Sequence, residues 1–223
     1  MESRIIGAPV AATLGAAAFL LAGPAAALEA GDWLIRVRAI GVLPTDDSGG
    51  IKPDLLGAGI EAQPAAMPEL DITYMATDQI GLELILATTP HDADGKGAIA
   101  GLGKVADAWL LPPTLLVQWH FIPGGSFHPY VGAGINWTIT YGESASGSLK
   151  AALGPTQVHM GNSVGFALQA GADYDINDRW FVNFDVKYID LDVDTKLVSG
   201  AVTRRTNLEI NPVIVGFGVG YRF

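Results

Sequence analysis

The sequence predicts an all-β protein: an eight-stranded antiparallel transmembrane β-barrel of outer-membrane type, preceded by a cleavable signal peptide. Three observations carry this expectation. Of the 223 residues, 49% are hydrophobic, yet no stretch beyond the leader reaches the ~20 apolar residues that a spanning helix needs. The helix and the closed barrel are the only structures that satisfy every backbone hydrogen bond in lipid, so the barrel is left. Second, the final stretch, Leu208 to Phe223, alternates Val213, Val215, Phe217, Val219, Tyr221 and Phe223 with Ile214, Gly216, Gly218, Gly220 and Arg222. One face is oily and the other small or charged, the pattern of a strand with lipid on one side. Third, the connections between period-two segments alternate between short and long, as periplasmic turns and outer loops do.

The leader is residues 1–27. Arg4 precedes an apolar segment from Val10 to Leu21, a Gly23-Pro24 break follows, and Ala25-Ala26-Ala27 offers a small-residue cleavage site before Leu28. This is the layout of a secretory signal cut after Ala27, leaving residues 28–223 as the barrel domain. Strands are expected near Asp32–Leu43, Glu69–Met75, Ile80–Thr89, Ala108–Phe121, His128–Tyr141, Val164–Tyr174, Trp180–Asp194 and Leu208–Phe223. Short links fall at Ala76–Gln79, Ile122–Phe127 and Asp175–Arg179. The long ones, Pro44–Pro68, Pro90–Asp107, Gly142–Ser163 and Thr195–Asn207, are rich in Gly, Ser, Pro and charge. Aromatic residues sort accordingly, because Trp and Tyr prefer the boundary between hydrocarbon and headgroup. Trp33, Tyr74, Trp119, Phe121, Tyr174, Trp180, Tyr221 and Phe223 sit toward the short turns or the termini; Trp109, Trp137, Tyr141 and Tyr188 sit toward the long loops.

Sending the more apolar parity of each strand outward leaves an inward set. Its charged members are Arg36, Arg38, Asp71, Glu83, Asp173, Asp185, Lys187 and Arg222, concentrated in the half nearer the short turns. Charges inside a narrow barrel need partners, so a paired network is expected there. It reads either as a gate or as structural filling. Toward the long loops the inward positions become Ile40, Val42, Ile85, Ala87, Leu110, Leu116, Ile189, Leu191, Leu208, Ile210 and Ile214. They form an apolar pocket suited to a hydrophobic small molecule, or they simply fill the barrel. Pro112-Pro113 and Pro212 fall inside strands and lack the N–H that a ladder uses. They weaken the wall for sideways exit into the membrane, or they mark strand ends and bulges.

Several chemistries lack support. A formal net charge of -10 disfavours a nucleic-acid partner, and without Cys there are no disulfides or thiol nucleophiles. Gly97 to Lys104 has the wrong glycine spacing for a phosphate loop, and Val105 stands where Ser or Thr is required. Gly132-Ala133-Gly134 lies within a strand, and Asp92-Ala93-Asp94-Gly95 lacks the closing Glu of a calcium loop. Asp190, Asp192 and Asp194 share one strand face, read as a solvated extension or as a place for divalent cations near headgroups. His91, His120, His128 and His159 have no metal-ligand spacing; His120 and His128 flank a turn and are read as interfacial. No Ser sits in a nucleophile elbow, so no enzyme is expected.

Four stretches resemble the OmpW family of small outer-membrane barrels: Tyr74 to Leu84, Leu111 to Trp119, Pro129 to Asn136, and Gly220 to Phe223. The segment from Asp185 to Lys196 resembles the family's acidic seventh strand. The resemblance implies an eight-stranded barrel with both termini in the periplasm, a hydrophobic interior channel, and help for small hydrophobic molecules crossing the outer membrane. The Pro112-Pro113 pair matches the family pattern. The expected function is therefore a conduit for a small hydrophobic solute; a structural or receptor platform with acidic loops, or a narrow ion pore, are the alternatives. Expected partners are outer-membrane lipids and lipopolysaccharide, the solute, and the insertion machinery that reads a terminal aromatic residue. No cofactor is implied, and the chain is expected to be a monomer.

Overall fold

The computed structural model describes residues 27–45 and 48–223. The expected signal peptide, apart from Ala27, lies outside them. Among the described residues there are fourteen strands: β1 (Trp33–Leu43), β2 (Ala58–Ala62), β3 (Ala65–Met75), β4 (Ile80–Ala87), β5 (Thr89–Gly97), β6 (Lys104–Leu111), β7 (Thr114–His120), β8 (Phe127–Ala145), β9 (Thr156–Met160), β10 (Ser163–Asp175), β11 (Trp180–Ile189), β12 (Asp192–Ser199), β13 (Val202–Glu209) and β14 (Val213–Arg222), with one short α-helix, α1 (Gly147–Leu153).

Eight of them close a barrel. The ladder runs β1-β3-β4-β7-β8-β10-β11-β14 and returns to β1, every pair antiparallel. Closure removes the open edge that a sheet cannot expose to lipid. The outward parity is bare and apolar: Leu115, Ile135 and Phe217 are each more than 60% exposed. The two aromatic girdles take their places. Trp33 stacks near Tyr74 at 5.1 Å and Trp180 meets Tyr221 at 5.0 Å at the short-turn end. At the other end Trp109 lies 6.3 Å from Tyr141. Both described ends of the chain lie at the short-turn end, with Phe223 and Trp33 exchanging backbone hydrogen bonds.

The structure corrects the expected strands in two respects. Pro112-Pro113 and Pro212 do not lie inside strands; they separate β6 from β7 and β13 from β14. Thr88 and Asp190-Leu191 likewise divide β4 from β5 and β11 from β12. At Pro112-Pro113 and Pro212 the cause is the missing proline N–H, which a neighbouring strand cannot replace. Second, the long connections are largely folded. β5 and β6 extend one wall with β2 alongside, and β12, β13 and β9 form a separate three-stranded sheet. Their charged, Gly-rich outer faces mask the period-two signal, because the inward positions are small or isolated apolar residues such as Ala93, Val105, Val158 and Leu197, all buried. These join Ile51 of the loop before β2, Ile60 of β2 and Leu149 of α1 in one apolar cluster that caps the barrel and continues down into its upper half.

Candidate functional site: a two-tier lumen

The lower lumen is packed with charge. Arg36 grips Asp173 with two parallel bonds, Nη2 to Oδ2 at 2.6 Å and Nε to Oδ1 at 3.1 Å, the bidentate geometry that suits a guanidinium. Its Nη1 donates to Thr73 Oγ1 at 2.7 Å and reaches Glu83 at 3.5 Å. Arg38 is the hub: 2.6 Å from Asp71, 3.0 Å from Glu69 and 2.8 Å from Asp185. Lys187 bridges Glu69 at 2.5 Å and Asp185 at 3.2 Å. Nearest the turns, Arg222 and His128 share Asp175, each at 3.1 Å. Beneath them Leu28, Leu34, Met75 and Phe181 form a small apolar plug.

The C-terminal strand makes room for this layer. A Cβ at Gly218 would collide with Arg38 and the backbone of Val37, and one at Gly220 would enter the Phe181 ring. Glycine there allows Arg38 and Phe181 to lie across the strand.

All eight residues expected in the network are buried; Arg36, Arg38, Asp71, Glu83, Asp173, Asp185 and Lys187 are linked in one set of ion pairs, and Arg222 pairs with Asp175 in the layer nearer the turns. Two carboxylates were missed, Glu69 and Asp175, although each stands two residues from an expected member, Asp71 and Asp173, and so shares its face. With them, six carboxylates meet three arginines and one lysine among the described residues. Neutral donors supply what the cations do not: Gln169 Nε2 donates to Asp185 at 2.8 Å, and Asn183 Nδ2 donates to Asp173 at 2.7 Å and to the Tyr130 hydroxyl at 2.9 Å. His120 and His128 are not interfacial. Both are fully buried in the lumen, with His128 Nδ1 2.8 Å from the Ile122 carbonyl and the His120 ring 5.1 Å from that of Tyr130. Both lie within the expected strands Ala108–Phe121 and His128–Tyr141, on the inward parity shared with Gln118 and Tyr130.

Above Lys187 and Glu69 the lining turns apolar. A cavity of about 40 Å³ is walled by Ile40, Val42, Ile85, Ala87, Leu110, Ile189, Leu191, Ile210 and Ile214, together with Pro112 and Pro212. Leu208 lines a smaller adjoining cavity of about 20 Å³, and Leu116 is buried in the same apolar cluster without facing either space. Pro113 accepts a hydrogen bond at its carbonyl from the Trp137 N–H, 3.0 Å.

At this level the wall is interrupted. The β3–β4 ladder ends at Glu69–Ala87, and backbone bonding resumes only at Gln63 to Asp92. Pro64, Pro68 and Pro90 lie in that interval. On the other side of the same segment, pairing passes from Ile85–Thr114 to Thr89–Leu110, skipping Pro112-Pro113. The stretch around Thr88 therefore lacks ladder partners on both flanks. Pro212 differs, because its carbonyl accepts from Ile189 and the neighbouring Asn211 side chain bonds Leu191 N–H at 2.9 Å. Among the described residues no group of His, Asp or Glu has metal-holding geometry.

Known proteins share this architecture. The model of the OmpW family matches residues 29–223. An uncharacterised outer-membrane protein of Sinorhizobium fredii, y4mB, is 41% identical over 98% of this chain and 94% of its own length. Outer membrane protein W of Escherichia coli is 38% identical over 92% and 94% respectively. The crystal structure of OprG from Pseudomonas aeruginosa superposes with a TM-score of 0.82 at 31% identity, covering 88% of this chain and 98% of that one. A closed eight-stranded barrel, girdled for the outer membrane and matched along its length, makes this chain a member of the non-enzymatic OmpW family of outer-membrane β-barrel proteins.

Proposed function

We propose that the protein conducts small hydrophobic molecules into the outer membrane through the upper half of its lumen. The observation that supports this most is the coincidence, at one level, of an apolar cavity and a wall without continuous backbone bonding. Below that level the paired charges offer a hydrophobic solute no favourable path, since entering would separate buried ion pairs. The solute rests among Ile40, Ile85, Ile189, Ile210 and Ile214 and leaves sideways near Thr88, between the Pro64–Pro68 stretch and Pro112-Pro113. The cavity as it stands, about 40 Å³, has room for a few water molecules at most, whereas small-molecule sites are typically about 300 Å³ or more. Passage thus requires the cap and the Thr88 segment to move apart, and the interrupted ladder lowers the cost of that opening.

In this reading residues 1–27 are an export signal, the short-turn end faces the periplasm, and the chain works as a monomer assembled by the insertion machinery. The test is uptake of a hydrophobic solute at limiting concentration by cells with and without the protein. Faster uptake with the protein is expected, and Ile210→Asp, which makes the cavity wall polar, should abolish most of the gain. Equal uptake with and without the barrel would rule the conduit out; full uptake by a correctly assembled Ile210→Asp barrel would remove the site. A platform, by contrast, would lose its role on truncation of the β12–β13 hairpin while uptake stayed unchanged.

A further inference from the structure

The three-stranded sheet outside the membrane carries a row of cations that the conduit does not use. Register places His159, Lys196 and Arg205 directly opposite one another on β9, β12 and β13. The loop before β2 adds Lys52, whose N–H and carbonyl both bond Arg205 at 2.9 Å. All four side chains are on the exposed face, while Ile51, Val158, Leu197 and Arg204 beside them point inward. Directly opposed residues lie about 5 Å apart, so the row crosses four strands in roughly 14 Å.

Like charges set opposite one another destabilise a sheet, and here they stand in a chain of net charge -10. Among the described residues Lys52, Lys196 and Arg205 form no ion pair, although Asp194 and Glu209 line the same groove. Lys52 is also held in place by a built dock. Arg204 clasps Asp54 with two bonds of 2.7 and 2.6 Å, and Thr206 Oγ1 donates to the Gly49 carbonyl at 3.0 Å. The loop is thereby pinned as a fourth strand that completes the row.

We infer that this row docks the anionic core saccharide of lipopolysaccharide. Height selects that source. Lys196 lies eight residues beyond the girdle residue Tyr188, across the break at Asp190-Leu191, and so at most about 20 Å farther out. The outer surface between them is acidic, with Asp190, Asp192, Asp194 and Glu209, and repels phosphates at the glycolipid headgroup. Phosphate or uronate groups of the core sugars reach above that acidic belt and meet three fixed cations.

The experiment uses the full barrel purified in detergent, with lipopolysaccharide from the same cells and its saccharide-free lipid A as probes. The K52Q/K196Q/R205Q variant should bind lipopolysaccharide at least about tenfold more weakly at low salt, and K150Q, on α1, should bind as wild type does. Unboiled-gel migration establishes that each variant is a folded barrel. Unchanged binding by the folded triple variant overturns the proposal. So does a wild-type barrel that binds lipid A as tightly as whole lipopolysaccharide, or one that prefers a soluble sulfated glycan.

Discussion

The lower and upper halves of the lumen fill the same narrow tube with opposite materials. In the lower half Arg38 alone touches three carboxylates within 3.0 Å, and each of these also contacts Lys187, lies beside Glu83 or accepts from a glutamine. Such bonds are directional, and removing one member strands the others in a low-dielectric interior. In the upper half Ile40, Ile85, Ile189, Ile210 and Ile214 meet by dispersion and exclusion of water, which are non-directional. Those contacts can part and reform without leaving a charge uncompensated. The interruptions of the ladder lie in the half that can open, and the continuous ladder surrounds the half that cannot.

The strongest way to break this comparison is to remove the hub. Arg38→Met leaves Asp71, Glu69 and Asp185 without their shared cation, and the expected loss is roughly 3–5 kcal/mol, the cost of breaking a buried ion pair from one side. Equilibrium urea unfolding in lipid vesicles measures it. A loss under about 1 kcal/mol would mean that the lower half tolerates rearrangement as the upper half does. Next in size is Ile210→Ala in the upper tier. An existing void beside it limits the packing lost, so the change should cost about 2 kcal/mol, at the low end for such truncations. It should also raise solute uptake by enlarging the cavity. A cost as large as that of Arg38→Met would erase the distinction between the tiers.

The two tiers were also unequally legible in the sequence. Parity alone assigned Arg36, Arg38, Asp185 and Arg222 to the interior, because a charge on a strand whose alternate residues are Val, Ile and Phe has only one side to occupy. The same rule was not carried to the strand ends: Glu69, His120 and His128 stood at the edges of their expected strands without being assigned inward, and Asp175 lay one residue past the expected end at Tyr174. The upper half was harder to read. Isoleucine at inward positions does not distinguish a filled core from a cavity, and the interval between Glu69–Ala87 and Gln63–Asp92 depends on which strands are neighbours. The cap was missed because its outer faces are charged and its inner ones small, so that β5, with the sequence Thr-Pro-His-Asp-Ala-Asp-Gly-Lys-Gly, has no apolar alternation. Backbone pairing to β2 and β6 makes it a strand.

A smaller effect is expected in the outer sheet. Lys196→Gln removes a charge set opposite Arg205 and should stabilise the barrel by about 0.2–1 kcal/mol, with the gain shrinking as salt is added. A destabilised variant would show that the row is already compensated within the protein. In that case the cap would depend on internal charge pairing in the manner of the lower half.

The smallest effect concerns the exposed clasp that docks the loop before β2. Hydrogen bonding to Arg204 holds the Asp54 carboxyl below its ordinary value of 3.8. A depressed carboxyl contributes stability that is fully present above the unfolded-state value and is lost as pH falls through the folded-state value. Between neutral pH and about pH 5 the dock should therefore be insensitive to acid, and below pH 4 it should loosen. Amide exchange at Lys52 and Arg205, whose N–H groups bond each other's carbonyls, reads this directly once rates are corrected for their intrinsic pH dependence. Asp54→Asn should bring neutral-pH exchange close to the acid rate, because the amide retains the shape without the charge. If acid opened the amides of β4 and β11 in the lower wall to the same degree as Lys52 and Arg205, the two tiers would be one cooperative unit. Exchange confined to the outer loop would instead locate the readily opened part of the molecule above the charge layer.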